Sequence, residues 1–141
     1  MTANTSGMTG IAQPADAALI TYTHVIYALH SLAVLIGIAS AATIVGSFVG
    51  GVPSIVAVIM NYVQRSATRG TFLESHFRWQ IRTFWFAALW LIVTWAVSLP
   101  LFWIGIGFAL FLVGTVGTGV WIVYRVVRGW LALHERRPMY V

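Results

Sequence analysis

The chain has 141 residues, 60% of them hydrophobic and only 8% charged, with a mean hydropathy of +0.88. So few charges cannot solvate the surface of a soluble domain of this size, and the apolar residues are gathered into long runs, as in membrane-spanning chains. The absence of cysteine excludes disulfides, thiolate metal sites and a cysteine nucleophile, while the net charge of +5 is all arginine beside apolar segments, which argues for lipid headgroups and against nucleic acid.

Residues 1–19 are small and polar and carry no Lys or Arg, so they lack the basic start of a signal peptide and are expected to form a flexible N-terminal tail. Between His24 and Val63 there are forty residues without Asp, Glu, Lys or Arg. A single helix of that length would be roughly 60 Å long, twice the hydrocarbon core of a bilayer, so the chain must fold back. The one evident break is Gly46-Ser-Phe-Val-Gly50-Gly51-Val-Pro53, with flexible glycines and a proline that cannot continue a helix. Helix one is therefore expected over 22–45 and helix two over 53–64. Helix two is short for a full span, which leaves open a re-entrant hairpin with helix one.

A polar connector, 64–70, leads into helix three, expected from 71 or 72 to 99 and ended by Pro100. Helix four is expected over 102–128, followed by an interfacial tail at 129–141. The fold class is thus all-α, an integral membrane four-helix bundle over 20–128. Arg65, Arg69, Arg78 and Arg82 lie between helices two and three, and Arg125, Arg128, Arg136 and Arg137 lie in or after the end of helix four. The links at 46–53 and 98–101 have no arginine. The positive-inside rule then puts both arginine clusters, and both termini, in the cytoplasm. An even number of passes is what allows it.

Any chemistry is expected in the stretch 70–86. Glu74, Arg78 and Arg82 recur at i, i+4 and i+8, along one helix face with the acid first, an order that suits ion pairing and the helix dipole. His76, Trp79 and Thr83 occupy neighbouring faces, and Trp79, Phe84 and Trp85 supply aromatic surface at headgroup depth. The bland account is an interfacial anchor of snorkelling arginines and belt tryptophans. The sharper one is a docking site for an anionic phospholipid or a membrane partner through Glu74, His76, Arg78, Trp79, Arg82, Trp85, Arg125 and Arg128. Arg82 lies nearest the hydrocarbon and needs a partner, with Glu74 or a helix-end carbonyl as the options.

His24 and His30 are six residues apart, about 240° around a helix, so they do not share a face. Haem ligation would need a histidine from another helix, and His76 is the one at suitable depth. In helix four, Gly114 with Thr118 and Thr115 with Gly119 form small-xxx-small pairs, and Gly117 lies between them, a pattern that lets helices approach closely. That surface serves packing within the chain, homo-oligomer formation or docking on another subunit. No nucleotide loop, hydrolase elbow or HExxH is present, and Asp16, Glu74 and Glu135 are too few for paired-carboxylate chemistry. The reading names no catalytic residue, metal ligand or cofactor.

Three stretches together, Asn61-Tyr-Val-Gln-Arg65, Gly70-Thr-Phe-Leu-Glu-Ser-His-Phe-Arg-Trp-Gln-Ile-Arg-Thr-Phe-Trp85 and Tyr124-Arg-Val-Val-Arg-Gly-Trp-Leu-Ala-Leu133, with Pro138-Met139, resemble a family of small proteobacterial inner-membrane proteins of unknown function. That group is distantly similar to the small multi-spanning subunit of the chloroplast inner-envelope translocon. The resemblance covers most of 20–139 and implies a four-helix fold in a bacterial inner membrane. The expected task is a non-enzymatic accessory or scaffolding subunit that associates with a larger membrane complex and anionic lipid. A small pore or carrier, and a haem-binding electron-transfer subunit, are the alternatives.

Overall fold

The computed structural model describes the backbone of residues 14–39 and 44–140, and the side chains of 14–37 and 51–140. These residues form α1 (Ala17–Ala39), α2 (Ile44–Val63), α3 (Leu73–Leu101), a 3-10 turn (Phe102–Ile104) and α4 (Ile106–His134), with no strand among them. Three stretches, Ala17–Gly37, Leu73–Ile104 and Ile106–His134, are long and apolar enough to cross a membrane. The all-helical membrane architecture matches the expectation; the helix limits do not.

Each shift of a boundary has a local cause. Helix α1 starts at Ala17, inside the stretch expected to be tail, because Asp16 caps it: its Oδ1 accepts the Ala18 N–H at 3.1 Å. Residues 1–13 of that expected tail lie outside the described residues. Helix α2 begins at Ile44, so the glycine-proline segment expected to be a break is helical and Pro53 lies inside it. In lipid the backbone has no water to bond, so a chain keeps its helix through glycine and even proline where a soluble chain would turn. Residues 40–43, between α1 and α2 and inside the span expected for helix one, lie outside the described residues.

The second turn is built where proline and glycine act together. Pro100 lies in the last turn of α3, and Gly105 takes φ 77° to reverse the chain into α4. Only glycine takes that left-handed conformation without cost. Helix α4 then runs six residues past its expected end at 128. It closes in a Schellman motif: Arg137 N–H donates to Ala132 O at 2.8 Å and Arg136 N–H to Leu133 O at 2.9 Å. Arg136, at φ 51°, stands where glycine is usual, and Pro138 follows.

Helix α3 packs chiefly on α4 and α1 on α2, and the two hairpins meet mainly through α1 and α4. The buried apolar side chains form two clusters, Tyr27–Leu73–Val126–Leu133 and Ile26–Ala57–Phe77. Both lie at the arginine-rich end of the α3–α4 hairpin. Beyond it, from 84 to 124, only Ser98, Gly107 and Thr118 are buried. Most of the rest, including Leu89, Trp90, Ile92, Leu112 and Val113, faces outward as it would toward acyl chains. Four helices make the base, and two make the shaft.

Candidate functional site

At the arginine-rich end, polar side chains converge inside the packed base. His76 is fully buried and stands at the centre. Its Nε2 lies 2.8 Å from the Arg137 carbonyl, and its Nδ1 lies 3.0 Å from the Tyr27 hydroxyl. A carbonyl only accepts, so Nε2 carries the proton; in the neutral imidazole Nδ1 is then an acceptor and Tyr27 donates to it. Tyr27 stacks on Trp130 with ring centroids 6.4 Å apart, and its ring presses against the bare Cα of Gly129. The tail after α4 seals the site. Met139 is buried and donates its N–H to Ser75 Oγ at 2.9 Å.

A second group lies beside it, between α3 and α4. Arg125 donates through Nε to Thr83 Oγ1 at 2.7 Å, and its guanidinium carbon sits 3.5 Å from the centre of the Trp79 ring and 5.0 Å from that of Trp121. The indole N–H of Trp79 in turn donates to the Arg125 carbonyl at 3.1 Å. The residues thus lock one another: the cation lies on the ring, and the ring is tied to the helix that carries the cation. Arg128 donates to the Tyr124 hydroxyl at 2.7 Å, and Trp85 donates to the Tyr62 hydroxyl at 3.1 Å.

The structure divides the expected site in two. Glu74 pairs with Arg78 at 3.3 Å, as their spacing implies, and its second oxygen accepts the Gly70 N–H at 3.1 Å. Arg82 is not joined to them. It is exposed and makes no hydrogen bond or ion pair among the described residues, so the expected partnership with Glu74 does not form. Glu74 and Arg78 brace the connector at the base, whereas Trp79, Arg82, Trp85, Arg125 and Arg128 make up the collar. His76 belongs to neither; it is a core residue.

Of the four packing positions expected in α4, two face inward within the chain. A Cβ on Gly114 would come within 2.6 Å of the Thr94 side chain, and Thr118 is buried. Gly117 and Gly119 have nothing within 4 Å, so they face outward. The tightest approach was not anticipated: Gly107, where a Cβ would lie 2.3 Å from the Ser98 carbonyl oxygen.

The other histidines pair locally. Trp130 donates its indole N–H to His24 Nδ1 at 3.0 Å, and His30 Nδ1 lies 3.2 Å from Ser54 Oγ. No cluster of three or more metal-binding side chains occurs among the described residues. Among the described residues the buried amide of Asn61 makes no hydrogen bond, and that of Gln80 lies beside the Tyr27 hydroxyl but out of hydrogen-bond geometry. Tyr27, Gln80 and Trp121 had no place in the sequence reading. Tyr27 sits in an uncharged run between His24 and His30, and the one signal for it is Gly129, a small residue where a large one docks.

The chain matches no protein-family model, no curated protein and no solved structure.

Proposed function

We propose that this chain is a non-enzymatic accessory or scaffolding subunit of a bacterial inner membrane, with both arginine clusters on the cytoplasmic side. One observation carries the reading: among the described residues the α3–α4 shaft is almost wholly uncovered, with 11% of the most apolar 18-residue run of α3 and 6% of that of α4 buried. Among the described residues Gly117 and Gly119 stand open on the two sides of the buried Thr118, where another membrane helix can approach closely. Mild-detergent extraction from native membranes, followed by native-gel separation, tests it. The chain should migrate with a larger assembly, and Gly117→Leu should release it without lowering the amount extracted. Migration of the wild-type chain as a monomer sinks the reading. A small pore or carrier is the second reading, favoured by the unbonded amides of Asn61 and Gln80 inside the base. Conductance in reconstituted bilayers that disappears with Asn61→Leu would put it first.

A further inference from the structure

We propose that Arg82, Arg125 and Arg128 form a binding site for the phosphate headgroup of an anionic phospholipid, with Arg125 as its fixed coordinating group. This rests on the reading of the collar as a membrane contact surface and goes further by naming the ligand and the residue that holds it.

The argument begins with how Arg125 is held. Thr83 takes its Nε–H, Trp79 and Trp121 lie against its guanidinium, and Thr83 is itself anchored by donating to the Trp79 carbonyl at 2.7 Å. None of these groups is an anion. A guanidinium has five N–H donors, and one is used. The other four, on Nη1 and Nη2, have no hydrogen bond among the described residues, and they are the fork that binds two oxygens of one phosphate.

The charge around Arg125 is uncompensated. Arg82 adjoins Thr83, the acceptor of the Arg125 Nε–H, and Arg128 lies about one helical turn beyond Arg125, so both charges act on it. All three acidic residues of the chain are engaged elsewhere: Glu74 with Arg78, Glu135 with Arg137, and Asp16 at the start of α1. Three cations gathered at the edge of an apolar shaft are costly unless an anion joins them. The depth says which anion. Trp85 and Trp103 lie 18 positions apart, on either side of the apolar part of α3, a separation of about 27 Å at the helical rise and close to the thickness of one hydrocarbon core. The cluster therefore lies where lipid phosphates lie, with Trp79, Trp85, Trp121 and Tyr124 as its aromatic belt. A zwitterionic headgroup brings its own cation and neutralises nothing. An anionic phospholipid supplies the missing charge.

The test uses the full chain in nanodiscs of phosphatidylcholine, with and without phosphatidylglycerol or cardiolipin, and native mass spectrometry of the lipid retained on release. The wild type should keep at least one anionic lipid in preference to phosphatidylcholine. Arg82→Gln and Arg128→Gln, both at exposed positions, should each weaken retention about fivefold. Arg125→Gln should weaken it further, and Arg125→Lys, which keeps the charge but loses the fork, should fall between. Arg69→Gln, outside the cluster, should have no effect. Equal retention of phosphatidylcholine, or an equal loss with Arg69→Gln, overturns the proposal. So does displacement of the lipid by millimolar inorganic phosphate, which would assign the site to a soluble anion. Co-migration with a larger assembly is read separately, so either idea can fail alone.

Discussion

At the residue scale, the contacts of Tyr27 and Gly129 show how little room the base leaves. A Cβ at position 129 would meet the Tyr27 hydroxyl at 2.4 Å and its ring at 2.8 Å. The ring would have to move, and the 3.0 Å bond to His76 with it. Gly129→Ala should therefore destabilise the chain by about 1–3 kcal/mol, the usual cost of overpacking. Gly117→Ala is the contrast, since nothing lies within 4 Å. It should be neutral or gain up to about 1 kcal/mol from helix propensity. Thermal unfolding of both variants in detergent micelles checks the pair, and a Gly129→Ala chain as stable as wild type would refute the close packing. These two glycines look alike in the sequence. Periodicity says which residues share a helix face but not what lies opposite. So Gly117 was expected to pack inside the chain as readily as Gly114, and Gly129 was not singled out at all.

At the scale of elements, the hydropathy pattern and the placement of arginine were enough to read helices, their number and the polar connector. They misplaced the reversals. The segment 46–53 reads as a break by the rules of soluble chains, but the demand for backbone bonding in lipid keeps it helical. The end of α4 was hidden for a different reason: a Schellman closure with arginine in place of glycine gives no glycine to read, and only Pro138 hints at it. That closure has a mechanical role. It turns the tail so that the Arg137 carbonyl meets His76 and the Met139 N–H meets Ser75. His76→Ala together with Ser75→Ala should free the tail, and trypsin should then cut after Arg136 several-fold faster than in wild type, the bond after Arg137 being closed to it by Pro138. Unchanged cleavage with unchanged unfolding would mean the buried Met139 side chain holds the tail by itself.

At the scale of the whole molecule, both arginine clusters lie at the end where the four helices meet, and the exposed Trp103 lies at the other end of the shaft. That arrangement follows from two long helices joined by a tight turn, and it predicts sidedness. The chain has no cysteine, so single replacements report without background. In right-side-out vesicles, Trp103→Cys should react with a membrane-impermeant maleimide, whereas Ser66→Cys and Tyr140→Cys should react only after the vesicles are opened. Labelling of all three from outside would overturn the orientation.

The seat of His76 also has a consequence for the order in which the protein is made. One of its partners, Tyr27, precedes it by 49 residues, and the other, the Arg137 carbonyl, follows it by 61. The ribosome therefore delivers α1, α2 and α3 before the group that bonds Nε2 exists. Until α4 has crossed and its closing turn has folded back, the imidazole must borrow water or stay outside the base. The last assembly step is then the docking of a few residues, not the insertion of a helix, and it is the step at which a quality-control protease could distinguish a finished chain from an arrested one.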